Sequence, residues 1–189
     1  IEDVVLKRSS SIALGKSLRK VHPLGAHGMI KARPKGFDSN AILEKSNEDR
    51  LAELIPIRYG RMLASPFTFL RGSAALMADD LSRTINTGIY VQACGDCHLL
   101  NFGAFATPER KLVFDINDFD ETLPAPWEWD VKRLATSFVV AAQDNRINDE
   151  TARLIAKSCV QSYRENLRIY SKMSPLDLWY KQLELAKYV

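Results

Sequence analysis

Three features that often decide the class of a protein at first sight are missing from this chain. Its three cysteines are an odd number and give no disulfide framework. No run of residues is long and apolar enough to span a bilayer, and residues 1–8 lack the basic and apolar regions of a signal peptide. The net charge of +3 is too small to predict nucleic-acid binding. We therefore expect a cytoplasmic globular protein without a membrane or nucleic-acid partner.

The length of 189 residues suits one domain with a sizeable core, or a piece of a larger protein. Residues 1–45 have weak hydrophobic periodicity and six glycine or proline residues, which predicts a loop-rich N-terminal arm. Residues 46–189 form the second predicted region.

Two serine-based patterns predict helix starts beyond this arm. Residues 46–49 have the Ser-x-x-acid pattern of a capping box, and the helix that follows is expected to end or kink at Pro56. Ser65 and Pro66 predict a second start, with serine as the cap and proline in the first turn. Past residue 126 apolar residues recur at helical spacing, and a last helix is predicted over 176–189.

Strand-forming residues lie between these helical regions. Residues 89–93 favour a strand, and residues 102–106 and 111–116 flank a Thr-Pro-Glu-Arg turn as in a hairpin. The Leu-Pro-Ala-Pro sequence at 123–126 is interpreted as a rigid connector. Helices, a small β patch and further helices together predict a mainly helical α+β fold.

The β patch carries two polar motifs in a distinctive order. Residues 94–103 read Cys-Gly-Asp-Cys-His-Leu-Leu-Asn-Phe-Gly, which puts Asn101 five positions after Asp96. An apolar run then leads to Asp-Phe-Asp at 118–120. Protein kinases use an Asp for the substrate proton, an Asn on the metal and a second Asp on the metal in this order and spacing. The pattern therefore indicates phosphoryl transfer.

These residue types suit that chemistry. Phosphoryl transfer needs metal ions on the phosphates and a carboxylate placed to accept the proton of the nucleophile. Asp96 is the candidate catalytic base, and His98 the residue that braces its loop by hydrogen bonding. Magnesium prefers oxygen ligands, which Asp118 and Asn101 would supply.

The acidic residues after the second motif permit another interpretation. The carboxylates of Asp115, Asp118, Asp120 and Glu121 repel one another unless a cation or basic residues neutralise them. A metal ion is one solution, and the basic pair at 132–133 is another. A metal-dependent hydrolase that uses the carboxylates of 115–121 is therefore an alternative.

The first motif also matches two other metal signatures. Residues 94–98 fit the C-x-x-C-H pattern of covalent haem attachment, which would require export. Cys94, Cys97 and His98 could also supply three zinc ligands, but no second pair occurs at the expected spacing.

Arg71 is a candidate phosphate ligand. It lies between aromatic residues and a glycine bend, in Phe-Thr-Phe-Leu-Arg-Gly, from which its guanidinium could clamp a phosphate bidentately. Equally, it could form an ion pair with Asp79, Asp80 or Asp130.

At these residues the chain resembles the DUF2252 family of uncharacterised bacterial proteins. The resemblance covers roughly residues 50–180. It rests on several sequence segments that match the family in order, at residues 56–72, 94–103, 113–121, 129–134 and 176–180.

That family is similar to the protein-kinase-like superfamily, through motifs like those of aminoglycoside phosphotransferases. The resemblance implies a kinase C-lobe-like fold that uses ATP and Mg²⁺. By position, Asp96 resembles the catalytic base and Asn101 the metal-binding Asn, while Asp118 and Asp115 compete for the second metal ligand. A Gly-rich loop with a following Lys, which a kinase needs, does not occur in the sequence. The resemblance implies a circular permutation in which this chain is the catalytic-loop half and the remainder of the parent chain, as a partner, supplies the nucleotide clamp.

Three functions follow as hypotheses. The first is a phosphotransferase that acts on an unidentified small-molecule or protein acceptor. The second is a non-catalytic, pseudokinase-like binding module, and the third is the metal-dependent hydrolase.

Overall fold

The computed structural model describes residues 8–185 of the chain. Within this range five α-helices precede four short strands, and three further helices follow. The helices are α1 Arg8–Val21, α2 Ser39–Lys45, α3 Ile55–Met62, α4 Pro66–Gly72, α5 Ala74–Ser82, α6 Glu128–Asp144, α7 Asp149–Tyr170 and α8 Pro175–Trp179. The strands are β1 Tyr90–Ala93, β2 Phe102–Ala106, β3 Leu112–Ile116 and β4 Leu123–Pro126. This order confirms the predicted mainly helical α+β class.

The strands form two antiparallel pairs. β2 and β3 make the predicted hairpin, in which Phe102 lies opposite Ile116. β1 pairs with β4, and Ala93 lies opposite Leu123. The interpretation of residues 123–126 as a rigid connector is therefore wrong. Its two prolines take alternate positions of the ladder, where antiparallel pairing does not need the N–H that proline lacks.

Helix α6 is central to the packing of the helices. It packs most extensively against α7, to which residues 145–148 connect it, and it also contacts α4 and α5. A connection this short joins neighbouring helices in a helical hairpin. Because β4 ends at Pro126, directly before α6, the same helix is also anchored to the β structure.

A small apolar core lies among the N-terminal helices. Leu43, Met62 and Leu76 are buried together, and Phe37 and Tyr59 pack against them. Gly72 permits this packing, because a Cβ atom there would lie 2.4 Å from Cγ of Met62.

The prediction of a loop-rich arm over residues 1–45 is wrong for two stretches that the structure describes. Residues 8–21 form α1 and residues 39–45 form α2, while residues 1–7 lie outside the described range. The prediction gave Gly15 too much weight, since one glycine costs a helix only about 1 kcal/mol. The side chain of Asp38 starts α2 by accepting hydrogen bonds from the N–H groups of Asn40 and Ala41.

The two predicted helix starts have different outcomes. Ser65 caps α4 in a capping box with Thr68, and Pro66 is in the first turn, as predicted. Ser46, in contrast, follows the last residue of α2 and caps its C-terminal end. Pro56 does not end a helix but lies in the first turn of α3, where its missing N–H is not needed.

The predicted last helix over 176–189 is also too long. α8 ends at Trp179, and Leu183 accepts a hydrogen bond from the N–H of Phe114 on β3 at 3.0 Å. The chain therefore runs along the free edge of the hairpin, where backbone pairing replaces helix formation. Residues 186–189 lie outside the described range. Of the helices between residues 8 and 185, none combines the length and the hydrophobicity needed to cross a bilayer.

Candidate active site

The predicted site residues lie on two neighbouring segments. Asp96, His98 and Asn101 belong to residues 94–101, which connect β1 to β2 and which we call the motif loop. Asp118 belongs to residues 117–122, which connect β3 to β4 and which we call the acidic segment. Because β1 pairs with β4 and β2 with β3, the topology brings both connections to the same place.

Gly95 lets the two segments touch. It has φ +80°, a conformation that residues with a side chain rarely adopt. A Cβ atom at this position would lie 1.9 Å from the carbonyl oxygen of Glu121, well inside contact distance. The motif loop therefore requires glycine here both for its turn and for its approach to the acidic segment.

Asn101 joins the motif loop to the acidic segment through its side-chain amide. Its Oδ1 accepts a hydrogen bond from the N–H of Asp118 at 2.9 Å, and its Nδ2 donates to the carbonyl of Asp118 at 2.9 Å. The same Nδ2 donates to the carbonyl of Asp96 at 3.2 Å. Because Asn101 is only 5% exposed, water does not compete well for these bonds. One buried amide thus ties together the backbones of both candidate aspartates.

Asp96 is held by a buried arginine on α6. The Nε of Arg133 donates to Oδ1 of Asp96 at 2.8 Å, and Nη2 donates to the same oxygen. Nη2 also donates to the carbonyl of Leu70 at the end of α4, at 2.7 Å. Arg133 is 2% exposed, so its charge depends on Asp96 for compensation.

His98 is buried and lies on the other oxygen of the same carboxylate. Its Nε2 is 3.5 Å from Oδ2 of Asp96. Burial raises the pKa of Asp96, but the hydrogen bond with His98 and the charge of Arg133 outweigh it, so the pKa lies below its usual range. Asp96 is therefore ionised at neutral pH and able to accept a proton.

The two candidate metal carboxylates differ in their surroundings. Asp118 is exposed, and its Oδ1 accepts a hydrogen bond from the N–H of Asp120 at 2.9 Å. Asp115 is exposed on β3, in the hairpin ladder opposite Gly103. Asn101 bonds to the backbone of Asp118, so the motif loop is tied to that residue and not to the strand position of Asp115.

Arg71 is exposed near the end of α4. The carboxylates that the sequence offered as its ion-pair partners bind other groups: Asp79 pairs with Arg83, and Asp80 with Arg33 and Arg83. Asp130 accepts from the backbone of the motif loop. Arg71 directly follows Leu70, whose carbonyl binds Arg133, so it lies beside the support of Asp96 without joining it.

Three polar residues of α6 support the motif loop, and sequence reasoning missed this role. Asp130 accepts hydrogen bonds from the N–H groups of Cys94 at 2.8 Å and Gly95 at 3.1 Å. Ser137 Oγ accepts from the N–H of Leu99 at 2.9 Å. The sequence suggests Arg133 as a neutraliser of the 115–121 carboxylates, whereas in the structure it binds Asp96. Residues 130, 133 and 137 have the i, i+3, i+7 spacing of one helix face, which is the pattern that could have revealed them.

The cysteines of the motif loop are buried structural thiols. Burial raises the pKa of Cys94 to about 11 and also raises that of Cys97, so both are protonated at neutral pH. The Sγ of Cys94 lies 3.5 Å from Nδ2 of Asn101, within the same network. Between residues 8 and 185, no three His, Cys, Asp or Glu side chains gather into a metal-binding group.

Two clefts of the described residues lie away from Asp96, Asn101 and Asp118. One cleft of about 530 Å³ lies between α2 and α3, and Asn40, Asn47 and Tyr59 are among its lining residues. Another of about 530 Å³ is lined in part by Leu70 and Met77, the two residues besides Asp96 that Arg133 contacts. The candidate site is therefore an open surface of two segments with a buried support behind it.

Comparison with known proteins gives one match. The family model described as "Uncharacterized protein conserved in bacteria (DUF2252)" matches residues 50–189. No curated protein and no solved structure matches the chain.

Proposed function

The chain belongs to the DUF2252 family of uncharacterised proteins conserved in bacteria, and we propose that it carries the catalytic loop of a kinase-like phosphotransferase. One observation carries the proposal: the buried amide of Asn101 binds the backbones of Asp96 and Asp118 together. A base for the acceptor and a metal-binding carboxylate must lie side by side in such an enzyme.

Asp96 is the catalytic base in this proposal. Its lowered pKa keeps it ionised at neutral pH, and its side chain retains 23% exposure, so an acceptor can reach it. His98 and Arg133 restrict the carboxylate from two sides. Arg71, exposed in the last turn of α4, stays a candidate ligand for a phosphate oxygen.

The donor atoms present suit magnesium. The carboxylate of Asp118 is exposed, and the amide oxygen of Asn101 has a second lone pair besides the one that accepts from Asp118 N–H. Magnesium is usually held by one or two carboxylates, with phosphate and water oxygens as the other ligands, so a three-carboxylate group is not required. We assign this role to Asp118 rather than Asp115, because only Asp118 is tied to the motif loop. When bound, the ion would neutralise charge on the β- and γ-phosphates of ATP.

The reaction follows from these roles. The hydroxyl proton of the acceptor passes to Asp96 while the acceptor oxygen bonds to the γ-phosphorus of ATP. The bond from that phosphorus to the bridging oxygen breaks, and ADP leaves with the electron pair. The chain orients the carboxylate, and it takes up and later releases the proton.

Calorimetric titration of this chain and of its full-length parent with ATP, in Mg²⁺ and in EDTA, tests the proposal. We expect binding that requires Mg²⁺ and that weakens about tenfold or more in Asp118→Ala, because a metal ligand is lost. Asp120→Ala is the matched control: it removes a neighbouring exposed carboxylate of the same segment, and the dissociation constant should stay within about twofold.

The other outcomes point to the other hypotheses. Absence of ATP binding by the full-length parent, with or without Mg²⁺, would sink the phosphotransferase proposal, whereas binding by the parent alone would show that this chain supplies half of the site. Hydrolysis of a simple phosphate ester without ATP would indicate the metal-dependent hydrolase. Mg²⁺-dependent binding of ATP without any ADP formation would indicate the pseudokinase-like binding module.

A further inference from the structure

Arg133 is almost completely buried, which is unusual for a charged side chain. It is only 2% exposed, and each of its three guanidinium nitrogens has a partner: Asp96, the carbonyl of Leu70, or the sulfur of Met77. Burying a guanidinium costs free energy unless its N–H groups are paired. A hydrophobic residue at position 133 alone would leave the carboxylate of Asp96 and the carbonyl of Leu70 without this partner, so Arg133 and Asp96 have to be considered as a pair.

The way in which Arg133 binds Asp96 is asymmetric. Both Nε and Nη2 donate to Oδ1, and neither donates to Oδ2. Oδ2 faces the imidazole of His98, at the outer limit of a hydrogen bond. Of the two carboxylate oxygens, Oδ1 therefore accepts both hydrogen bonds from Arg133, while Oδ2 has only His98 beside it and keeps a second lone pair that can accept a proton.

We propose that Arg133 is the positioning residue for phosphoryl transfer: it holds Asp96 through Oδ1 so that Oδ2 faces the acceptor hydroxyl and takes its proton. This inference rests on the function proposed above. Arg133 exchanges no proton itself, because a guanidinium stays protonated throughout the range in which proteins are folded.

The position of Arg133 on α6 makes it a rigid support. The guanidinium is fixed from behind by α4 and α5, through Leu70 and Met77. On the same face of α6, Asp130 and Ser137 hold the backbone of the motif loop before and after Asp96. Helix α6 thus holds both the side chain of Asp96 and the backbone on either side of it. A misplacement of about 1 Å can lower a rate about a hundredfold, so this arrangement bears directly on catalysis.

A double-mutant cycle with Arg133→Lys and Asp96→Asn tests the inference. The first readout is the steady-state formation of ADP from ATP in the presence of Mg²⁺, with water as the acceptor. The second is the dissociation constant of ATP, measured by calorimetry. Lysine keeps the charge but lacks the planar fork, so we expect kcat about 10- to 100-fold lower with ATP affinity within about twofold. If Arg133 acts only through Asp96, the double variant should be no slower than Asp96→Asn alone.

Lys132→Gln is the control for a general effect of charge changes on α6, because Lys132 donates to Thr84 and not to the motif loop. It should leave kcat unchanged. Circular dichroism and the midpoint of thermal unfolding report whether each variant is folded, and Arg133→Gln serves as a second replacement if Arg133→Lys does not fold.

Each result separates the two proposals. If the wild-type protein is active and the losses in kcat from Arg133→Lys and Asp96→Asn are additive in the double variant, the role proposed for Arg133 is overturned. The proposed function is not affected by that result. Loss of the folded state in both Arg133 variants would also overturn it, and would leave Arg133 a structural residue. If the full-length wild-type protein forms no ADP from ATP, the proposed function fails and the role of Arg133 in transfer fails with it.

Discussion

At the scale of single residues, Gly95 is restricted in two ways. Its positive φ and the approach of the Glu121 carbonyl are separate constraints, and each of them excludes a side chain. The first is a property of the local backbone, and the second depends on a segment 26 positions further along the chain. The second constraint can be recognised only in three dimensions.

We expect Gly95→Ala to lower the free energy of unfolding by at least about 2 kcal/mol, because the strain of a positive φ adds to a clash with backbone. Gly88→Ala is the matched control, since Gly88 has φ +73° and a Cβ atom added there would meet no other atom within 4 Å. It should cost about 1 kcal/mol. Urea denaturation of both variants measures the difference, and equal losses would contradict a close contact between the motif loop and the acidic segment.

At the scale of elements, short sequence patterns correctly predicted the features that depend on residues close together in the sequence. The Ser65 cap of α4 and the β2–β3 hairpin both depend on residues near one another in the sequence, and both were predicted correctly. The pairing of β1 with β4 spans about thirty positions and was missed, because prolines suggested a connector. In the candidate site, the three motif residues were found by spacing, but the partner of Asp96 is 37 positions away on α6. The spacing of residues 130, 133 and 137 indicates a polar face of α6, but which residue that face binds depends on the fold.

The support of the motif loop by α6 predicts a loss of stability in Ser137→Ala. Ser137 is fully buried, and its hydroxyl accepts from the N–H of Leu99, which alanine would leave without a partner. We expect a loss of about 1–3 kcal/mol in urea denaturation. Thr136→Ala is the control, because the Thr136 hydroxyl bonds only within α6, to the carbonyl of Lys132. A loss no larger in Ser137→Ala than in Thr136→Ala would argue against anchoring of the loop by α6.

At the scale of the whole molecule, the chain exposes much surface for its size. Its accessible area is 14000 Å², whereas a compact protein of 21.3 kDa is expected to expose about 9,100 Å². Large apolar side chains contribute to the difference, among them Trp179, which is 83% exposed. With less apolar burial, polar contacts between distant segments carry a larger share of the stability. One such contact joins Arg33, in the segment between α1 and α2, to both carboxylate oxygens of Asp80 on α5.

This contact predicts a pH dependence of stability. The hydrogen bonds from Arg33, opposed in part by burial, lower the pKa of Asp80 in the folded state. The contribution is therefore complete above the unfolded-state pKa of about 3.9 and is lost as the pH falls through the lower folded-state pKa. Because both side chains are about a third exposed, we expect about 0.2–1 kcal/mol.

Urea denaturation at pH 7 and pH 3 measures this contribution by comparison of variants. Arg33→Met should lose stability at pH 7 and show a smaller difference between the two pH values than the wild-type protein. Lys31→Met removes an exposed charge from the same segment and should behave like the wild type. An unchanged pH dependence in Arg33→Met would contradict the assignment to Asp80.

The bonds of Asn101 have a consequence for the kind of change that this site tolerates. Asparagine converts to aspartate by spontaneous deamidation or by a single-base substitution, and the two side chains have almost the same shape. At position 101, however, Nδ2 donates to the carbonyls of Asp96 and Asp118, and an aspartate would turn an acceptor oxygen and a negative charge towards them. Position 101 therefore selects asparagine over aspartate by the N–H donors of its side chain rather than by size. Deamidation of this one side chain would be enough to separate the motif loop from the acidic segment.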